Sequence, residues 1–285
     1  MIQSMTGFGK SVSELPTKKI TVEVKSLNSK NFDLNARISS QYREKELELR
    51  KIISKSLVRG KIDLSVYVEN TSEETSSIVN QAVVKKYMEQ LRSLVNGDET
   101  ELLKMAVRMP DALKTEREEI DETEFQAIED AVEEALTEIN NFRSDEGKAL
   151  EKDLKLRVSN IEDLLQQIIK MDPDRIDGVK ERLRKGVEEL KENVDENRFE
   201  QELVYYIEKF DITEEKVRLE NHLNYFNETI NSEDSNGRKL AFISQEMGRE
   251  INTIGSKSNY APMQQLVVQM KDELEKIKEQ LLNVL

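Results

Sequence analysis

Glu246 and Glu250 stand four residues apart, so on a helix their carboxylates share one face. Arg249 lies beside them, and Lys257 follows where that helix should end. Two carboxylates flanked by cations have the donors to hold a divalent metal and a phosphate together. The same spacing also suits a solvated face laced with i,i+4 ion pairs. A second set, Asp211, Glu215, Arg218 and His222, falls at helical spacing along a face of its own, and Arg198, Gln201 and Glu202 share a third. Were these helices to pack side by side, acids from two of them would meet beside the only histidine. Mg²⁺ and Mn²⁺ accept such oxygen-rich sites, and Mn²⁺ also accepts one imidazole. Spacing alone leaves open whether the helices meet.

Gly237, Arg238 and Lys239 sit near the expected start of the Glu246 helix, where backbone N–H groups and two cations suit a phosphate. Gly255-Ser256-Lys257-Ser258 is too short for a phosphate-binding P-loop and reads as a helix stop. Lys25, Asn28, Lys30, Arg37, Arg59 and Lys61 would give the N-terminal part a basic surface, with Asn28 and Lys30 on a turn open to backbone phosphates. Scattered solubilising charge is the alternative. Aromatic residues make up 5% of the chain, which argues against a base-stacking platform.

Composition narrows the chemistry further. The 285 residues contain no cysteine and one histidine, so disulfides, thiolate sites, a histidine acid–base pair and a multi-histidine zinc site within one chain are excluded. Hydrolysis would have to use carboxylates, a metal, lysine or that one imidazole. The net charge of −14 is uneven: residues 1–70 hold 13 Lys/Arg against 8 Asp/Glu, and the remaining 215 hold 30 against 49. A basic head on an acidic body is compatible with a polyanion partner, because binding follows local charge. No apolar run approaches the ~20 residues of a membrane span, and the first ten residues lack the apolar stretch of a signal peptide. A cytoplasmic protein without a membrane partner is expected.

The elements that must position these residues are α+β. Residues 20–27, 32–38 and 62–68 alternate apolar and polar as half-buried strands, with residues 28–31 as the turn of a hairpin between the first two. Met5 to Lys10 adds a further strand, and 41–58 switch to helical spacing with Leu47, Ile52, Ile53 and Leu57 apolar. The expected architecture is a small antiparallel sheet with a helix over residues 1–70, a helical connector over 71–122, a long projecting helical hairpin over 123–194 and a helical domain over 195–285. In the hairpin, Met171-Asp172-Pro173-Asp174 is the expected turn and 175–194 the returning helix.

Several segments together resemble the YicC/YloC family. They are the opening Met-Ile-Gln-Ser-Met-Thr-Gly-Phe-Gly; Ser26 to Lys30 with Asp33; Arg59-Gly60-Lys61; Phe142-Arg143-Ser144-Asp145-Glu146-Gly147 with Leu150; and Asp211 to Glu215 with Arg218 and His222. The most specific match is Gly237-Arg238-Lys239-Leu240, Gln245-Glu246, Arg249-Glu250 and Asn252 to Lys257. The resemblance spans the chain in order. It implies a metal-dependent, mainly Mn²⁺-supported endoribonuclease with Mg²⁺ as the alternative ion. It also implies a preference for single-stranded RNA and a homo-hexamer whose helical arms close on it. Carried over by position, Glu215, Glu246 and Glu250 are the implied metal ligands, and His222, Glu246, Glu250, Arg249 and Lys257 the catalytic group. Asn28, Lys30, Arg59, Arg218, Arg238 and Lys239 would bind RNA or phosphate. Lys30 stands where arginine is usual, losing the planar fork, and Ala241 where the family often has aspartate. A non-catalytic RNA clamp that presents RNA to another nuclease, and a helical scaffold without RNA, are the competing readings.

Overall fold

The structure is a computed structural model that describes residues 2–29, 31–71, 78–94, 97–114, 120–189, 196–232 and 235–285. The N-terminal sheet contains β1 (Gly7–Glu14), β2 (Lys18–Leu27), β3 (Phe32–Arg37) and β4 (Gly60–Asn70). Ile20, Val22 and Val24 of β2 and Ile62, Leu64 and Val66 of β4 turn to one buried face, as their alternation requires. The strand order is β1-β2-β4-β3. The sheet is therefore mixed: β1 and β4 pair antiparallel to β2, whereas β3 runs parallel to β4. The expected β2–β3 hairpin does not form, because β4 lies between those strands. A parallel neighbour needs a crossover, and α1 (Glu46–Ser56), entered through a 3-10 turn at Ser40–Lys45, supplies it. In α1, Leu49 and Ile53 are buried whereas Leu47 is exposed.

The connector contains α2 (Gln81–Leu94) and α3 (Glu99–Ala106), and also a two-stranded ribbon of β5 (Ile78–Val79) and β6 (Leu113–Lys114). Then α4 (Glu122–Glu189) runs unbroken for 68 residues. Its first part buries Phe125, Ile128, Val132, Leu136 and Ile139 against the sheet and α1. Its middle buries Leu154, Val158, Ile161, Leu165 and Ile168 against α6 (Thr213–Ile230), α7 (Gly237–Lys257) and α8 (Ala261–Leu281). One helix thus belongs to both cores. Between them a methyl group at Gly147 would lie 2.1 Å from the Ile2 carbonyl oxygen, so glycine lets the N-terminal segment cross α4 there.

The expected turn at 171–174 is absent, since Pro173 lies inside α4. A helix-interior proline loses one hydrogen bond, and here tertiary contacts hold the helix through it. Arg175, 2% exposed, donates to Asp172 and to the Phe210 carbonyl, and Lys216 Nζ reaches Asp172 Oδ2 at 2.6 Å. The expected arm is therefore mostly core, and the returning helix is α5 (Glu196–Phe210). Among the described residues no helix is long and apolar enough to cross a membrane.

Candidate active site and nucleic-acid interface

Helices α6 and α7 pack antiparallel through stripes at helical spacing, Leu219, Leu223, Phe226 and Ile230 against Leu240, Ile243, Met247, Ile251 and Ile254. Glu215 is one turn before Leu219 on the same face, so it is buried with it, at 6% exposure. Lys257, in the last turn of α7, reaches Glu215 Oε1 at 2.8 Å. Glu215 Oε2 is buried without a hydrogen-bond partner. At the other end of the pair, Lys239 Nζ lies 4.6 Å from the centre of the Tyr225 ring. His222 falls between these two contacts on α6, as Glu246 and Glu250 do on α7, and it is half-buried.

The two α7 acids differ. Glu246 is held by Arg249 at 3.0 Å, one turn along the helix, and Arg249 is exposed. Glu250 is 9% exposed, and no described residue gives its side chain a hydrogen bond or ion pair. Arg218 pairs with Glu214 on the surface of α6. Lys257 spends one of its three N–H donors on Glu215, so two remain for a phosphate.

The donor chemistry suits a hard divalent cation: Glu215 has a buried oxygen to spare and Glu250 a free carboxylate. The number of donors is smaller than a closed cage needs. Among the described residues no three of His, Cys, Asp or Glu come close enough together to hold a metal. Glu215, Glu246 and Glu250 are thus not gathered within one chain. Mg²⁺-type ions are commonly held by one or two carboxylates, with water and substrate phosphates completing the sphere.

Gly237, Asn28 and Arg59 sit where the sheet meets the C-terminal helices. The start of α7 is not the open phosphate cradle that its glycine suggests. The Gly237 N–H donates to the Leu285 carbonyl at 3.0 Å, and a methyl group there would lie 2.5 Å from the Val284 oxygen. Asn28 Nδ2 donates to the Leu282 carbonyl at 2.5 Å, tying the end of β2 to the same segment. Arg59 is half-buried, its Nε is buried without a partner, and its closest polar contact is Met5 Sδ at 3.1 Å from Nη2. Burial, and secondarily the charge of Arg238, lowers the Arg59 pKa. Lys30 lies outside the described residues.

Spacing did not single out Arg143. It is 2% exposed, donates to the Met5 carbonyl and to Ser26 Oγ, and keeps a buried Nε without a partner. Its only sequence signal was membership of the Phe142–Gly147 segment.

Comparison with known proteins agrees along the whole chain. The family model described as "Endoribonuclease YicC-like, N-terminal region" matches residues 2–152, and that described as "Endoribonuclease YicC-like, C-terminal" matches residues 168–285. A relative from Clostridioides difficile named "Probable endoribonuclease YicC" is 34% identical over 293 residues, with both chains covered in full. One of the same name from Haemophilus influenzae is 27% identical over 287 residues, again with full coverage of both.

Proposed function

This chain belongs to the YicC-like endoribonuclease family, and we propose that it is itself an endoribonuclease acting on single-stranded RNA in the cytoplasm, with the α6–α7 face as its cutting site. The observation that carries this reading is Glu250, a mostly buried residue whose carboxylate no described residue pairs, on a helix beside the one bearing His222. A carboxylate that no side chain pairs is free to accept a proton or to meet a ligand. Cleavage requires an oxygen nucleophile to attack phosphorus while the opposite P–O bond breaks and the leaving oxygen gains a proton: the ribose 2′-OH displaces O5′ and leaves a 2′,3′-cyclic phosphate, whereas water displaces O3′ and leaves a 3′-hydroxyl and a 5′-phosphate. Glu250 and His222 are the groups that take up and return the proton. Lys257, fixed by Glu215, directs its remaining donors at the phosphate oxygens.

Glu250 and Glu215 are the residues that would each offer one carboxylate to Mn²⁺ or Mg²⁺, with water, substrate phosphate or a second chain supplying the other donors. Such an ion, when bound, neutralises charge on the phosphate and acidifies a bound water. A homo-oligomer, the hexamer implied by the family likeness, would bring further donors from a second chain and set the arms formed by the end of α4 and α5 around the RNA.

The direct test incubates the purified chain with labelled single-stranded RNA in EDTA, in Mn²⁺ and in Mg²⁺. Cleavage restored by Mn²⁺ supports the reading, and full cleavage in EDTA contradicts the metal. The second reading, a clamp that binds without cutting, is favoured by the unpaired arginines at the sheet–helix junction. It predicts tight RNA binding with no cleavage under any of these conditions.

A further inference from the structure

Three arginines gather around the joint between the sheet and the C-terminal helices, and among the described residues no acidic side chain pairs with them. Arg143 and Arg59 touch the same residue, Met5: the first through the carbonyl oxygen at 3.2 Å, the second through the sulfur at 3.1 Å. A methyl group on Gly60, next to Arg59, would lie 3.6 Å from Arg143 Nη2. The Met5 N–H in turn donates to the Asn283 carbonyl at 2.8 Å, and Leu285 accepts from Gly237. That chain of contacts brings Arg238 to the same joint. None of the three forms an ion pair among the described residues, and both Arg143 and Arg59 keep a buried Nε–H unpartnered. Burial lowers the pKa of both, and no acidic group opposes it. A buried guanidinium without a counter-charge is expensive, and buried Arg143 with half-buried Arg59 and exposed Arg238 beside it makes a site suited to an anion.

We propose that Arg59 and Arg238, one from each half of the chain, grip one backbone phosphate of an RNA strand, with the buried Arg143 as a positioning residue that fixes Met5 and Ser26 behind them. The proposal rests on the ribonuclease reading for its ligand. Arginine's planar fork suits phosphate oxygens. Arg238 is exposed and Arg59 half-buried, so the pair forms an open shelf along which a strand passes, rather than a closed pocket for its end. A bound phosphate would also bridge the two halves of the molecule.

The test measures the affinity of the full-length chain for a fluorescent single-stranded RNA in EDTA over a range of salt, with Arg59→Gln, Arg238→Gln and the double variant. Loss of one phosphate contact on a single strand makes the slope of log K against log salt shallower by about 0.7. The double variant is expected to show that change and to bind about tenfold more weakly, the second substitution adding less than it does alone because both residues serve one phosphate. Arg238 is exposed, so its variant reports even if Arg59→Gln is poorly folded. A steep slope that all three variants retain overturns the phosphate site and leaves the nuclease reading standing. An unaltered chain with no salt-dependent RNA binding overturns both. Comparing 5′-hydroxyl with 5′-phosphate RNA separates a backbone phosphate from a strand end. Equal affinity supports the proposal, and a 5′-phosphate preference that disappears in the double variant overturns the backbone assignment.

Discussion

The α6–α7 face and the sheet–helix junction handle charge in opposite ways. On the first, acids outnumber their partners: Lys257 holds Glu215 and Arg249 holds Glu246, while Glu250 has neither. At the second, Arg59, Arg143 and Arg238 stand without an acid. The chain as a whole is strongly acidic, at −14, yet three arginines without an ion pair meet where the basic head joins the body. Local imbalance therefore points to partners where the total does not. An unpaired carboxylate suits proton transfer or a metal, and unpaired guanidiniums suit a phosphate, so one region is assigned to cutting and the other to holding.

The sharpest way to break this division is to compare the two acids of α7. Glu250→Gln should lower the cleavage rate by about 10²-fold or more, whereas Glu246→Gln, whose charge Arg249 already holds, should cost less. Equal losses, read from initial rates on labelled RNA, would erase the distinction between a free and a paired carboxylate. Next in size is Lys257→Ala, which strands Glu215 in a buried setting. It should destabilise the fold by about 1–3 kcal/mol in urea unfolding, and a neutral result would mean that Glu215 is solvated. At the junction, Gly237→Ala places a methyl group against the Val284 oxygen and should cost about 1–3 kcal/mol. An unchanged midpoint would show the C-terminal segment to be loosely seated there.

The smallest effect concerns Glu162 on α4. Burial, opposed in part by the hydrogen bond from Asn227 Nδ2, holds its carboxyl above the ordinary value. A raised folded pKa means that ionisation costs stability: the favourable contribution is complete below the ordinary carboxylate value and is lost as pH rises through the folded one. Glu162→Gln, which cannot ionise and can still accept from Asn227, should therefore melt slightly higher than the unaltered chain at pH 7 and equally at pH 4 or below. A lower melting temperature at pH 7 would reverse the sign.

Much of this was legible in the sequence, because the signals were periodic and local. The alternation of Ile20, Val22 and Val24 marks β2, and the stripe Leu266, Met270, Leu274, Ile277 and Leu281 marks α8, four of whose five residues are buried. The α+β class and the sharing of one face by Glu246 and Glu250 follow from the same periods. What could not be read was non-local. Alternation shows that β2 and β3 are strands but does not name their neighbours, so the insertion of β4 between them was invisible. Pro173 carries the local signature of a turn, whereas distant partners, the Phe210 carbonyl for Arg175 and Lys216 for Asp172, hold the helix around it. Arg143 reads as a solvated charge until residues 2–6 cross α4 and bury it.

The division of labour between the two regions is tested most directly by measuring RNA affinity and single-turnover cleavage together for Glu250→Gln and for the Arg59→Gln, Arg238→Gln double variant. The expected result is that Glu250→Gln binds RNA within about twofold of the unaltered chain while losing about 10²-fold or more in rate, and that the arginine variant loses affinity and salt dependence. Cleavage by Glu250→Gln at the unaltered rate, or a loss of affinity as large as that of the arginine variant, would contradict it.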